Sequence, residues 1–464
     1  MFIGREKELA LLQQDYIGKA AMVYGKRRVG KTTLIQKALK SSSYRTVYFE
    51  CLKGTMQDNI SGFVQELVRA KILPVPLNFG TLQDVFAYLN ALPEKIVVVI
   101  DEYPYLKAMN DSATVDSIFQ NIIDNRLVNI ELILSGSHIG MMKDTLQEKN
   151  ALYGRFAVTI KLNELNYLEA AKFYPDKPPY DKAAHYAVFG GLPFVNQALQ
   201  PTATIRENII STILNPMSAV YLYAGQLLLS DYSVKINAER IFSVIGNGKK
   251  RYTEIEDKLD VKKTGNLSKQ IKSLIDLEII ARNSPINKIG DNKKSTFEIN
   301  DNLLRFYFTF IYKNASALQV LGAEAFYDEY IAPALTDFIS RRFEGICRDY
   351  FSHQVRSGKM KGVRNIGSYY YDDPAHRKNG EFDVALEFAD GYEIYEAKYY
   401  AQPMTLDEIH REVQQVEEIK ELTVKKIGFI AINGFAEKEE PYLYLDGNNI
   451  FANEKVLYGK YDVE

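Results

Sequence analysis

The sequence predicts an α/β protein built on a parallel sheet with a P-loop, followed by helical and smaller mixed segments. Three observations predict it. The apolar run Ala20 to Tyr24 leads into Gly25-Lys-Arg-Arg-Val-Gly30-Lys31-Thr32, and a helical pattern follows through Leu34, Ile35, Ala38 and Leu39. The unbroken run Ile96 to Ile100 closes in Asp101-Glu102. Ile130 to Leu134 closes in Ser135-Gly136-Ser137. Such continuous runs are what strands buried on both faces of a parallel sheet require.

The first of these is strand, glycine-bracketed loop and helix in the order a phosphate cradle needs. Glycines let backbone N–H groups turn inward, and the helix start adds the positive end of its dipole. Gly25, Lys26, Arg27, Arg28, Val29, Gly30, Lys31, Thr32 and Thr33 are the expected nucleotide contacts. Lys31 would reach the β- and γ-phosphates, and Thr32 would ligate Mg²⁺. The expected cofactors are ATP and Mg²⁺. Asp101 would hold the same ion, and Glu102 would orient or deprotonate the attacking water.

Ser137 or Ser135, at the C-terminal edge of the sheet, could sense the γ-phosphate or simply close a turn. Arg155 ends Leu152-Tyr153-Gly154-Arg155. It is either a surface residue or a charge stabiliser, acting in its own subunit or in a neighbouring copy, which makes a homo-oligomer one of the expectations.

The string Phe2-Ile-Gly4-Arg5-Glu6 with Leu9, the loop GKRRVGKT, VVVIDEY, LILSGSHIGMM, LYGR and Gly190-Gly191-Leu192-Pro193 resembles the archaeal-type AAA+/STAND ATPases. The resemblance implies that Gly4 and Arg5 lie against the nucleotide base and that Pro193 belongs to a helical lid behind the sheet. It extends to a winged helix and to a C-terminal domain of unknown function similar to restriction-endonuclease-like folds.

Composition is consistent with several domains. The chain has 464 residues, 46% of them hydrophobic, and a prior of about 150 residues per domain suggests three. The expected divisions are 1–165 for the P-loop core, 166–232 for the lid and connector, 233–312 for the winged helix and 325–464 for an α/β restriction-endonuclease-like domain. The two cysteines, Cys51 and Cys347, lack metal spacing, and the five histidines build no zinc motif. Without a signal-peptide pattern or an apolar run near ~18 residues, the expectation is a cytoplasmic protein without membrane contact.

The pattern changes around Asp231, and from Ile236 to Phe310 it reads as a winged helix. Its helices are expected at Arg240–Ile245, Thr253–Leu259 and Thr264–Ile280, with a wing tip at Asn287–Lys294 between strands 279–282 and 295–299. Leu267, Ile271, Leu274 and Ile275 form one helical face, leaving Asn266, Lys269, Gln270 and Lys272 outward. Gly246 to Lys272 carries 8 basic and 4 acidic residues, so DNA is the expected partner, with Lys249, Lys250, Lys263 and Lys269 as contacts. A protein-docking spacer is the alternative. Residues 325–464 are acidic, with 17 Lys/Arg against 26 Asp/Glu, so nucleic-acid contact should begin outside them.

The last signal is Glu381-Phe-Asp383-Val-Ala-Leu-Glu387-Phe, Ala389-Asp390-Gly391 and Tyr392-Glu-Ile-Tyr-Glu396-Ala-Lys398. With Asp390-Gly391 as a two-residue hairpin turn, Asp383 faces Lys398 and Glu396 sits opposite Ala385. Asp383, Glu396 and Lys398 then share one face, and Phe382, Val384, Leu386 and Phe388 go to the other. Two carboxylates with a lysine suit a hard divalent cation and phosphodiester chemistry, Asp383 and Glu396 as ligands and Lys398 as catalyst. This resembles the D…ExK core of restriction-like nucleases, which implies helpers at Glu344 and at Gln414 or Gln415. The alternative is a cross-strand charge ladder.

The function expected is an ATPase acting on DNA, with Mg²⁺-dependent cleavage at the C-terminal carboxylates. A nucleotide-gated signalling switch with a partner-docking C-terminal domain is a second expectation, and a transcription regulator working through the winged helix alone a third.

Overall fold

The computed structural model describes residues 2–223, 238–246, 248–260, 266–373 and 378–452. The chain divides into two compact units, residues 1–164 with 192–194, and residues 165–191 with 195–464. Among the described residues no helix is long and apolar enough to cross a membrane.

The first unit is a five-stranded parallel sheet. Its strands are β1 (Ala20–Gly25), β2 (Arg45–Glu50), β3 (Ile96–Asp101), β4 (Ile130–Gly136) and β5 (Phe156–Leu162), in the order β2-β3-β4-β1-β5. Every residue of β1, β3 and β4 is buried, which is why these segments read as apolar runs, broken in β4 only by Glu131. From β1 the chain crosses to the β2 side, while from β4 it crosses to β5. The neighbouring strands β4 and β1 therefore mark the switch point where open α/β sheets bind ligands.

Helices Met56–Arg69 and Leu82–Asn90 begin with capping boxes at Thr55 and Thr81. Their apolar faces (Ile60, Phe63, Val64 and Leu67; Val85, Phe86 and Leu89) fill the core over the sheet.

In the second unit, helices Tyr167–Ala171 and Pro179–Phe189 come first. The expected lid and connector ran to residue 232, and residues 224–232 lie outside the described residues. Three helices follow in the segment expected to be a winged helix, Ala238–Ile245, Tyr252–Leu259 and Asn266–Asp276. Its sheet has the order β6-β8-β7, with β6 (Lys250–Arg251), β7 (Ile280–Asn283) and β8 (Thr296–Ile299). The third helix stops at Asp276, because Glu278 takes a left-handed φ of 62° that turns the chain into β7. Leu267, Ile271 and Leu274 are buried as the periodicity requires.

The 25-residue helix Ala332–Arg356 leads to a second five-stranded sheet of order β13-β12-β11-β10-β9. Its strands are β9 (Asn365–Asp373), β10 (Lys378–Phe388), β11 (Gly391–Lys398), β12 (Val424–Ala431) and β13 (Leu443–Asp446). β9, β10 and β11 pair antiparallel, β11, β12 and β13 parallel, and helix Leu406–Glu417 is the crossover between β11 and β12.

The hairpin register differs from the sequence expectation by two residues. Val384 pairs with Tyr395 and Phe388 with Gly391, so Ala389 and Asp390 form the loop. Gly391 is the first residue of β11, and a Cβ there would lie 2.6 Å from the Thr423 carbonyl oxygen. Close approach of the chain entering β12 is thus what requires the glycine. The expected apolar set also divides. A register shift in the β9–β10 pairing between Phe382 and Ala385 puts Phe382 in one core cluster with Ala385, Tyr369 and Tyr371. Val384 and Leu386 are buried as well, so both faces of the sheet are covered.

His185 gives a pH test of the second unit. It is fully buried, with Nδ1 2.7 Å from the Asp181 carbonyl and Nε2 3.1 Å from the Asn208 amide nitrogen. Burial lowers its pKa from 6.5 to about 4. The neutral ring stabilises the fold above pH 6.5, and that stabilisation is lost as pH falls toward 4. Between pH 7 and pH 4 the protein should lose up to about 3 kcal/mol more than His185→Gln, measured by denaturant unfolding.

Candidate functional site

The C-terminal ends of β1, β3 and β4 bring the P-loop residues to one edge. Gly25 ends β1, and a Cβ there would fall 2.2 Å from the Leu162 carbonyl oxygen, so no side chain is admissible. Gly30 has φ 99° and directly precedes helix Lys31–Leu39. Lys31 is buried, and its ammonium donates to the carbonyls of Gly25 and Lys26, each at 3.1 Å. Burial lowers the Lys31 pKa, and the charges of Glu102 and Asp101 oppose that shift.

Asp101 is the hub of this edge. One carboxylate oxygen accepts from the Thr32 hydroxyl at 3.0 Å and from the Tyr48 hydroxyl. The other accepts from the Glu102 amide at 2.9 Å. Tyr48 sits on β2 with its pKa raised by burial and by Asp101. Nothing in the local sequence around Tyr48 marks it; only the β2–β3 pairing, which sets it against Val99, brings it to Asp101. Thr32 and Asp101 are hard oxygen donors in direct contact, a donor set that suits Mg²⁺.

Glu102 takes a left-handed φ of 49° and starts helix Tyr103–Met109. Its carboxylate accepts from both the amide (3.1 Å) and the hydroxyl (2.8 Å) of Ser137. Ser137 therefore engages the candidate base itself. Ser135 is buried at the end of β4, and its hydroxyl has no hydrogen-bond partner. Arg155 makes a two-pronged pair with Asp124, at 2.9 and 3.0 Å, on helix Ser112–Asn125.

Arg5 is buried with φ 68°, and its guanidinium donates to the carbonyls of Val29 and Asn163. It ties the loop to the end of β5. Pro193 lies 3.9 Å from where a Gly30 Cβ would stand, and Arg28 stacks over Phe194 at 4.0 Å. Lys26 pairs with Glu164 at 2.7 Å. Arg27 donates to the Tyr105 hydroxyl at 3.3 Å. Thr33 is exposed in the first turn of its helix.

The second unit holds the carboxylate cluster. Asp383 accepts from the Ala397 amide at 3.2 Å. Burial pushes its pKa well up, and the charges of Glu396 and Glu344 push it further. Glu396 is raised by burial, against the pull of Lys398. Burial would lower Lys398, but Glu396 at 2.6 Å and Glu412 at 2.9 Å raise it above an ordinary lysine.

Glu344, on the long helix, also pairs with Lys249 at 3.5 Å and Arg348 at 3.8 Å. Gln415 bonds the Tyr371 hydroxyl, and Gln414 bonds Glu418 on the exposed side. Among the described residues no group of three or more His, Cys, Asp or Glu side chains is gathered closely enough to make a metal site unaided.

The segment expected as the wing tip packs against β9. Ile286 enters the core formed by Tyr369, Phe382 and Ala385. The Asn287 side chain exchanges hydrogen bonds with the backbone of Tyr370, and Lys294 donates to the Tyr370 hydroxyl at 2.7 Å. Lys269 and Lys272 remain exposed, and Lys263 lies outside the described residues.

Residues 2–194 match the family described as an ATPase domain predominantly from Archaea. Residues 307–415 match a family described as archaeal and bacterial proteins of unknown function. An uncharacterized protein of Methanocaldococcus jannaschii is 27% identical over 368 residues, 78% of this chain and 79% of that one. A Walker-type ATPase of Pyrococcus abyssi superposes with a TM-score of 0.50 at 17% identity, covering 66% of this chain and 96% of the other. The ORC2 protein of Aeropyrum pernix gives 0.46 at 11% identity, over 66% and 92%. Residues 2–194 are thus an archaeal-type P-loop ATPase domain.

Two outcomes test these sites. Lys31→Ala should weaken ATP binding about 10- to 100-fold by calorimetry, because one charge-assisted contact is lost. For Asp383 the folded pKa lies above the unfolded value, so its contribution is fully present below about pH 4 and is lost as pH rises through the folded pKa. In the presence of a chelator, Asp383→Asn should therefore flatten the fall of thermal midpoint between pH 5 and 8.

Proposed function

We propose that this protein is an ATP-hydrolysing switch of the AAA+/STAND type that acts on DNA, with phosphodiester chemistry at Asp383, Glu396 and Lys398. The observation that carries the reading is the state of Glu102. It sits where a base for water attack belongs, yet Ser137 holds its carboxylate by two hydrogen bonds. A base parked in this way gives a nucleotide-responsive element with two arrangements, Glu102 on Ser137 or Glu102 on water.

Mg²⁺ entering with ATP would be held by Thr32 and Asp101, and it supplies charge neutralisation on the phosphates. Lys31 exchanges the carbonyls of Gly25 and Lys26 for phosphate oxygens. Tyr48 keeps the Asp101 carboxylate oriented throughout. Glu102, once released by Ser137, takes a proton from water. Arg155, bound to Asp124 within its own subunit, would serve a neighbouring copy in a homo-oligomer after breaking that pair.

In the second unit the donor set of Asp383 and Glu396, with Glu344 beside them, suits a divalent cation, since burial raises both carboxyls and the charge of Glu344 raises each further. Such an ion supplies polarisation of a phosphodiester. Lys398, kept charged by Glu396 and Glu412, positions water or stabilises the departing oxygen. DNA would approach through Lys269 and Lys272 on the third winged-helix helix, since the wing is occupied. The domain divisions we assign to this switch fall near residues 165, 232 and 312.

One observation favours a second reading, in which the C-terminal domain only docks a protein partner. Lys398 already bridges Glu396 and Glu412, and Lys249 and Arg348 serve Glu344, so those carboxylates each have a protein cation.

The full chain separates the two readings. Glu102→Gln should keep ATP affinity and lower turnover at least about 10²-fold. Incubation with supercoiled DNA and Mg²⁺ or Mn²⁺ should give nicking that Lys398→Ala abolishes. Unchanged ATP turnover in Glu102→Gln would remove the base assignment. Nicking that persists in Lys398→Ala, or none in the parent, would leave the docking reading.

A further inference from the structure

Between the winged helix and the long helix of the second unit lies a cavity of about 190 Å³, lined by Gly246, Gly248, Thr309, Ala334, Arg341 and Arg342, with Asp337 at its exposed rim. Arg342 is 92% buried by the complement of its 8% exposure, and its guanidinium lines this space. Its nearest charged partner is Glu298 at 3.6 Å, beyond hydrogen-bond distance. Glu298 is nearer to Arg305, at 3.2 Å, and also accepts from Asn283 at 2.5 Å.

Two buried arginines therefore share one carboxylate. Two further acids lie nearby: Glu344 pairs with Lys249 and Arg348, and Asp337 stands at the exposed rim. Thr309 spends its hydroxyl on the carbonyls of Gly246 and Arg305. The lining thus presents two arginines against one carboxylate, that of Asp337 at the rim.

Arg341 adds a second guanidinium. Its Nη1 lies 3.1 Å from where a Cβ on Gly248 would stand, so the glycine is what admits it. Gly248 has φ 115°, a conformation open to glycine. Five donors in a planar fork match an oxyanion with two or more oxygens, which water does not replace in charge. Burial and the neighbouring Arg305 lower the Arg342 pKa to about 9, the direction expected of a cation short of counter-charge.

We propose that this cavity is a second anion site, in which Arg341 and Arg342 bind a phosphate-class oxyanion. The source is either a small phosphorylated molecule or a phosphate of a nucleic-acid backbone, and the chemistry recognised is the same.

The test uses the full chain carrying Lys31→Ala, so that the P-loop does not report phosphate. Inorganic phosphate at about 10 mM should raise the thermal midpoint by about 2 °C or more over chloride of equal ionic strength. Arg341→Ala should reduce that shift, and its exposed position keeps the fold intact. Ala334→Glu, also at an exposed position, places a carboxylate at the cavity and should abolish it.

A duplex oligonucleotide identifies the source. If Ala334→Glu weakens duplex binding several-fold, the backbone supplies the phosphate; if duplex binding is equal in both chains while the phosphate shift differs, a small molecule does. No phosphate-specific shift in the parent, or an equal shift in Ala334→Glu, overturns the site.

Discussion

One carboxylate organises the nucleotide edge of this molecule. Asp101 ends a strand buried along its whole length, and every acceptor it has is in use. Thr32 and Tyr48 donate to one oxygen, and the Glu102 backbone donates to the other. That last bond sets the left-handed turn at Glu102 and aims its side chain at Ser137. The P-loop helix, β2, β3 and β4 are therefore coupled through a single buried group. Removing a partner from such a hub leaves a buried charge short of hydrogen bonds, which costs more than the bond alone is worth.

The second unit is organised by a different constraint, the burial of both faces of its sheet. Val384 and Leu386 are buried with the sheet, as are Ala385 and Ile394 in the cluster shared with Val416 of the crossover helix. Charged groups survive in such a sheet only with partners. Glu396, Lys398 and Glu412 form one chain of ion pairs, and Glu298, Arg305 and Arg342 another. Asp383 is the exception, holding a backbone N–H and no cation within salt-bridge distance among the described residues. Around Arg342 the balance is the opposite, with two buried arginines sharing Glu298.

Much of this was legible in the sequence, for definite reasons. The parallel sheet announced itself because β1, β3 and β4 are buried on both faces, so β1 and β3 are apolar until their last positions and β4 departs from this only at Glu131 and at its closing Ser135-Gly136. The loop and Asp101-Glu102 were legible because phosphate chemistry fixes residue types at fixed spacings. The hairpin was legible in its existence but not in its register. Asp390-Gly391 has the composition of a turn, yet Gly391 answers to Thr423, a residue on another strand's approach. Local turn chemistry cannot see that contact. The packing of the expected wing tip was not legible, because it depends on Ile286 and Asn287 meeting β9, some eighty residues on. Tyr48 and the Asp124 partner of Arg155 were likewise invisible, since each depends on tertiary placement alone.

The central claim is that nucleotide binding moves Glu102 off Ser137 while Thr32 and Asp101 turn to a shared ion. A crystal structure of the chain with Mg²⁺ and a non-hydrolysable ATP analogue tests it most directly. The account predicts the Lys31 ammonium on the phosphates, the Thr32–Asp101 hydrogen bond replaced by metal coordination, and the Glu102 carboxylate out of reach of the Ser137 hydroxyl. A bound nucleotide with Thr32 still donating to Asp101 and Glu102 still held by Ser137 would contradict it.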